Sequence, residues 1–272
     1  MGPLAPAPTE LPEVAPSTGA ATAWRIGASV LAVAALAFGA LHVVGLLAHE
    51  ERTEAFVVDD PAVAELDVRS DGGHVEVVGD DVDEISVTAR ISDGLQPTGF
   101  SHRVVGDRLE LEVTCRSGLA NPWCRVGLTV VVPRDLELVV STADGASVRD
   151  LDGAVEVRSD NGTIAAEGLR GAVRLSSDNG SVRGLALGSE RIEASSSNGS
   201  VDLELATSPR SVTATSDNGS VEVALPRSDV FYAVDAASSN GSVDNQIRTD
   251  PAGTRRILAR TDNGSVTLRY LS

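Results

Sequence analysis

The sequence contains no lysine: all 22 of its basic residues are arginine. That absence excludes the Lys–Asn cross-links with which some surface adhesins lock their domains. Aromatic residues make up only 3% of the chain, so any core has to be built from Val, Leu, Ala and Ile. Histidine is nearly as scarce, with four in 272 residues. His74 and His102 are the two that lie clear of the long apolar segment described below. Neither belongs to a nucleophile elbow, a zinc-protease helix motif or a Cys–His pairing. No catalytic residue, cofactor or metal is therefore expected. Positive charge is also in deficit, 22 basic against 39 acidic residues for a net charge of −17. A phosphate-binding face needs the opposite balance, which argues against nucleic acid as a partner. The charge suits solubility outside the cell.

Two cysteines are present, Cys115 and Cys124, framing "CRSGLANPWC". With no further Cys and no nearby His cluster they read as a disulfide rather than a zinc site. Closing so short a loop contributes about 2–3 kcal/mol, and the bond persists only in an oxidising compartment.

Residues 1–23 hold five of the twelve prolines and little that could pack, the pattern of a disordered Pro/Ala-rich tail. Then comes Ile26–Ala48, 23 residues without a formal charge. At 1.5 Å per residue this is about 34 Å of helix, enough to span a bilayer, and longer than the apolar core of a cleaved signal peptide. Residues 24–48 are read as an uncleaved signal anchor. Arg25 precedes the span and the net-acidic "HEERTE" follows it, which places the tail in the cytoplasm and the C-terminal domain outside a single-pass cell-membrane anchor. Residues 49–62 read as a linker and 63–272 as the extracellular domain.

That domain repeats one turn. "SDNGTI" at Ser159, "SDNGSV" at Ser177, "SNGSV" at Ser197, "SDNGSV" at Ser216, "SNGSV" at Ser239 and "TDNGSV" at Thr261 carry Asn161, Asn179, Asn198, Asn218, Asn240 and Asn263. Their separations are 18, 19, 20, 22 and 23 residues. Two degenerate copies precede them, with Asp144 and Gly72 in the Asn position. Period-two alternation flanks each turn, as in Val155/Val157 and Val173/Leu175, which is the mark of strands. A β-hairpin meander competes. It gives no reason for one turn to recur at so steady an interval, whereas stacked coils do. The expected fold is all-β, a β-solenoid of about eight Asn-Gly-cornered coils preceded by one transmembrane helix. Asn-Gly suits a corner because it tolerates positive φ.

Stacking turns the repeats into columns. One is hydroxylic: Thr142, Ser159, Ser177, Ser196, Ser216, Ser238 and Thr261. The asparagines form a second, in which side-chain amides can bond up the stack. A third reads Asp160, Asp178, Ser197, Asp217, Ser239, Asp262. In sequence order every Asp after Asp178 is separated from the next by a Ser, which relieves repulsion between coils about 4.8 Å apart. Asp160 and Asp178 are the one unspaced pair and could be imagined around Ca²⁺, but the Gly-rich nonapeptide of calcium-binding β-rolls is missing. All six asparagines stand in formal glycosylation sequons; corner chemistry explains the pattern without a glycan.

The run Leu128–Val182, with "VP" ahead of the first coil and "NGS-V" corners after it, resembles the putative adhesin domain of bacterial envelope proteins, a family related to the autotransporter-adhesin-head GIN domain. The resemblance covers roughly residues 60–272. It implies a β-solenoid tethered by a membrane helix and no catalytic residues.

Function is then sought in the returns between coils, which lengthen toward the C-terminus. "LPRSDVFY" (Leu225–Tyr232) and "NQIRTDPAGTRR" (Asn245–Arg256) carry Phe231, Tyr232, Arg248, Arg255 and Arg256. Aromatics beside arginine suit a sugar, a teichoic-acid phosphate or an anionic peptide; alternatively the rings cover the end of the stack and the arginines neutralise nearby acids. "VTLRYLS" follows the last corner directly, so a second chain is a candidate cover, and "ALAFG" (Ala35–Gly39) offers a small-residue spacing for helix pairing. The expected function is a non-enzymatic, surface-displayed, adhesin-like binding module. An envelope-stress or regulatory protein, sensing outside and contacting a cytoplasmic partner through its tail, is the alternative.

Overall fold

The computed structural model describes Trp24 and residues 27–39, 50–93, 98–115 and 124–271. The chain divides into two units, Met1–Leu47 and Ala48–Ser272. In the first, residues 27–39 are helical and exposed. Among the described residues no helix is long and apolar enough to cross a membrane. The rest of the predicted span Ile26–Ala48 and the predicted tail 1–23 lie outside the described residues.

The second unit is built from strands. Seven precede the regular repeats: β1 Glu50–Val58, β2 Glu65–Ser70, β3 His74–Asp80, β4 Ile85–Asp93, β5 Gly99–Val105, β6 Arg108–Thr114 and β7 Arg125–Pro133. Ten form five successive coils: β8 Glu137–Thr142 with β9 Ala146–Arg149, β10 Val155–Asn161 with β11 Ile164–Glu167, β12 Val173–Asn179 with β13 Val182–Leu187, β14 Arg191–Ser196 with β15 Val201–Leu205, and β16 Ser211–Asn218 with β17 Val221–Leu225. Four more follow: β18 Tyr232–Asn240, β19 Val243–Asn245, β20 Arg255–Asn263 and β21 Val266–Tyr270.

Each coil contributes one strand to a ten-stranded sheet, turns at its corner, and contributes the next strand to an eleven-stranded sheet. Parallel pairing sets like residues over like: Val157 on Leu175 on Ala194 on Ala214 in one sheet, Ile164 on Val182 on Val201 on Val221 in the other. These side chains point inward and are buried. Their slenderness follows from the shortage of aromatics, since Val, Leu, Ala and Ile fill the roughly 10 Å between two facing sheets. A stack of nearly identical layers is the solenoid expected from the period.

At both ends the stack departs from sequence order. The coil β6–β7 lies outside β2–β3, which it flanks in parallel, while β3 also pairs with β9 and β2 with β8. Antiparallel strands then close this end, β4 on β7 with β1 on β4, and β5 on β6. Residues 50–58, inside the segment read as a linker, are thus strand β1; "TEAFVV" has the composition of an edge strand, and its Phe56 ring stacks on His102 at 4.0 Å and lies 6.0 Å from Phe100. At the other end β16 pairs with β20 and β17 with β21, so that β18–β19 is laid outside the last coil of the sequence. The longer returns have their physical reason here: residues 226–231 climb past a vacant layer that β20–β21 later fills.

The swap corrects the expected column order. Asn263, not Asn240, follows Asn218. Asp217 and Asp262 therefore stand side by side, and the interleaving of Asp with Ser read from sequence order fails at this step. Ser239 instead donates to Asp262 Oδ1 at 3.3 Å.

The disulfide joins Cys115 to Cys124 with Cα atoms 5.8 Å apart. It links the residue that follows β6 to the one that precedes β7, and Cys115 packs over Gly72 of the next layer.

Candidate functional site

The corners hold the layers in register and so position everything else. In the asparagine column each Nδ2 donates to the Oδ1 of the layer before: Asn179 to Asn161 (3.3 Å), Asn198 to Asn179 (3.0 Å), Asn218 to Asn198 (3.1 Å), Asn263 to Asn218 (2.9 Å) and Asn240 to Asn263 (3.1 Å). The hydroxyl column is buried except at Ser238 on the outermost layer, where it is half-buried, and it donates to corner backbone of the adjoining layer: Ser177 to the Gly162 carbonyl, Ser196 to Gly180, Ser216 to Gly199, Thr261 to Gly219 and Ser238 to Gly264. A small hydroxyl is needed there because a buried polar group has to be satisfied and there is no room for a longer one.

The glycines have a different reason from the one expected. Of the six Asn-Gly corners only Gly162 and Gly264 have positive φ. What every corner shares is close approach. A Cβ on Gly180 would lie 1.9 Å from the Gly162 carbonyl oxygen, and one on Gly199 2.3 Å from that of Gly180. The turn repeats because its layers touch through backbone.

The five residues singled out in the long returns do not form one cluster. Tyr232 is 1% exposed and its ring belongs to the core, where burial pushes its hydroxyl pKa up. Arg255 turns back to the carbonyls of Ser208 (2.5 Å) and Pro209 (2.8 Å), pinning an earlier return. Arg256 is exposed on the outer face of β20. Phe231 and Arg248 do come together: the ring is exposed, the guanidinium lies 6.0 Å above its centroid, and Nη1 donates to Asp229 Oδ1 at 2.8 Å.

Beside them is a second arginine–aromatic pair absent from the sequence reading. The register Leu225↔Tyr270 brings the ring of Tyr270 next to the start of the long return. Arg227 lies 5.7 Å over that ring and makes no ion pair among the described residues. The Tyr270 hydroxyl accepts from the Arg248 backbone N–H at 3.0 Å. Arg227, Ser228, Asp229, Arg248 and Tyr270 line an open cleft of about 290 Å³. Arg227 stands within the quoted "LPRSDVFY", so composition could have flagged it. Tyr270 is 43 residues away in sequence, and only the swapped layer order makes the two neighbours.

The remaining sequence candidates have structural neighbours. His102 is stacked on Phe56, and His74 Nε2 lies 3.0 Å from Ser147 Oγ. Among the described residues no three His, Cys, Asp or Glu side chains are gathered where they could hold a metal ion. Elsewhere on the surface arginines are commonly matched to acids on a neighbouring layer, such as Arg174 with Glu193 at 2.9 Å.

Comparison with protein families gives a match to the model described as Toastrack DUF4097 over residues 59–269. The chain belongs to the Toastrack family. The matched region includes every corner and the cleft, apart from Tyr270 at its edge. Among solved structures, a protein described as a putative adhesin from Bacteroides fragilis is similar at 11% identity and TM-score 0.48, with 81% of this chain and 97% of that one covered. A putative cell adhesion protein from Clostridium sporogenes is similar at 10% identity and TM-score 0.34, covering 82% and 100%. A putative lipid binding protein from Parabacteroides distasonis is similar at 12% identity and TM-score 0.32, covering 81% and 97%. No curated protein matches the chain.

Proposed function

We propose that this Toastrack domain is a non-enzymatic binding module, displayed outside the cell by the apolar segment Ile26–Ala48, and that it holds an anionic carbohydrate polymer in the cleft between Arg227 and Arg248. The observation that carries the reading is an open cleft lined by Arg227, Arg248 and Tyr270 in an otherwise acidic protein, with Arg227 over the Tyr270 ring and Arg248 over the exposed ring of Phe231 beside it. Guanidinium forks match carboxylate and phosphate oxygens, and ring faces receive the apolar side of a sugar. Arg248 is already held by Asp229, so it orients as much as it attracts. Arg227 supplies the uncommitted charge.

The test is calorimetric titration of the full chain in detergent micelles with a glycerol-phosphate polymer, a uronate-containing polysaccharide and a neutral dextran. Binding of either charged polymer, weakened at least about tenfold by Arg227→Ala/Arg248→Ala through the loss of charge-assisted contacts, supports the site. Equal binding of dextran, or no effect of the double substitution in a folded protein, refutes it.

A further inference from the structure

The two ends of the stack differ in a way that bears on assembly. The disulfide end finishes in antiparallel strands β1 and β5, whose edge residues include Glu51, Arg52, Glu54, His102 and Arg103. Charges on an edge strand discourage pairing with another chain. The opposite end finishes in β18 and β19, both parallel edge strands. Only the first residue of β18 is covered there: Tyr232 bridges Thr249, receives a bond from the Asp250 N–H and donates its own N–H to Arg248. From Ala233 to Asn240 the outer edge has no strand beside it among the described residues.

This open edge lacks the usual protection. Ala233–Asn240 reads "AVDAASSN", without proline, arginine or a bulge. Its single charge, Asp235, is neutralised by Arg260 at 2.5 Å. The inward-facing Val234 and Ala236 are only partly buried, and Val243 on β19 is 45% exposed. Together with Pro251 and Ala252 they border a groove of about 940 Å³. Core-register residues are thus laid open along this edge beside a single charge, Asp235, whereas Val57, Val104 and Val105, exposed at the disulfide end, stand on strands that also carry Glu51, Glu54 and Arg103.

We infer that this end is an interface between two copies of the chain, packed C-terminal end to C-terminal end about a two-fold axis, with β18 continuing antiparallel into the partner's β18. Three observations favour a second copy over another occupant. Antiparallel pairing centred on Ala236 sets Asp235 opposite Ala237 and Val234 opposite Ser238, so the edge is compatible with itself and no like charges face each other. Asp229–Asp262 contains five Asp and four Arg, a net charge of −1 in a chain of −17, so these ends approach with little of the repulsion that separates the rest of the surface. The end measures roughly 30 Å along β18 by 20 Å across both sheets and their outer side chains, so two copies bury about 1,200 Å² in total, the lower bound of a specific interface. Head-to-tail addition would meet the charged antiparallel end, which limits growth to a closed pair.

The experiment is sedimentation velocity of the full chain in detergent micelles across a hundredfold range of concentration. Twice the chain mass, reached as a plateau, is expected for the native protein. Ala237→Lys/Val243→Lys, both at exposed positions, is expected to run as a monomer, and Val57→Lys/Val104→Lys at the other end as a dimer. Hydrogen exchange of the native protein is read alongside: Ala233–Asn240 amides gain at least tenfold protection between the dilute and concentrated limits. This second readout stands even if the lysine variant fails to fold. A monomer at all concentrations, mass rising without a plateau, dimers in both variants, or protection independent of concentration overturns the inference.

Discussion

The middle of the stack and its two ends obey different rules. From β8 to β17 each coil rests on the one before it, and a residue's neighbours follow from the repeat length alone. At the ends the same kinds of strand and corner are present, but the order is permuted. Corner bonding is local and nearly identical in every copy, so one Asn-Gly layer fits on any other. The repeat therefore specifies that layers stack, and leaves their order to the connections. Residues 226–231 and 246–254, and the insertion carrying β4–β7, make that choice.

Glycine substitution gives the largest contrast. Gly180→Ala puts a Cβ 1.9 Å from a neighbouring carbonyl oxygen, and is expected to cost about 3 kcal/mol or more, because backbone on both sides cannot yield. Gly127→Ala, on β7 with nothing within 4 Å, is expected to change stability by less than about 0.5 kcal/mol. Urea midpoints compare the two. Similar losses would mean that corner layers are not in backbone contact.

Next in size is the disulfide. Cys115→Ser/Cys124→Ser is expected to lose about 2–3 kcal/mol. Hydrogen exchange should quicken first in β5–β7 and leave β12–β16 unchanged; uniform quickening would show that the closed end is not a separate element of stability.

The ladder offers a finer comparison. Asn198→Ala removes an interior member, breaking its bond to Asn179 and the bond it receives from Asn218. Asn240→Ala removes a terminal member and one such bond. The interior change is expected to cost about 1 kcal/mol and the terminal one about half of that. Equal costs would mean that the amides contribute individually rather than as a chain.

The smallest effect concerns charge. Burial and then the neighbouring Glu222 and Glu204 raise the pKa of Asp202 above its ordinary 3.8. A raised carboxylate pKa in the folded state means the fold favours the protonated form, so this group opposes folding as pH rises through the shifted value. Asp202→Asn should therefore be slightly more stable than the native protein at pH 7 and lose that advantage below about pH 3.8. An advantage that grows on acidification would contradict the assignment.

Much of the middle was legible in the sequence. The six asparagines gave the period, Val157 and Leu175 gave the alternation, and the hydroxyl column was visible as a column, though its burial was not. The role of the corner glycines was less so, because the same dipeptide serves a left-handed turn and a close backbone approach; only the neighbouring layer distinguishes them. The cleft was half legible. Phe231 and Arg248 announced themselves by rarity in an acidic, aromatic-poor chain, whereas Tyr232 carried the same signal and went to the core. Tyr270 could not be placed beside Arg227 without the layer order, and residues 50–58 read as a linker because an edge strand with one exposed face carries a weak pattern.

Layer order is accordingly what a direct measurement should address. Ser220 and Ser265 oxygens lie 3.3 Å apart across adjacent corners, a geometry compatible with a cross-strand disulfide. Ser220→Cys/Ser265→Cys and Ser220→Cys/Ser242→Cys proteins, oxidised and mapped by mass spectrometry, distinguish the two stacking orders. The swapped stack predicts a link between positions 220 and 265 and none between 220 and 242. A link between 220 and 242 with 265 left free would show the layers stacked in sequence order, and would take the Arg227–Tyr270 cleft and the open β18 edge with it.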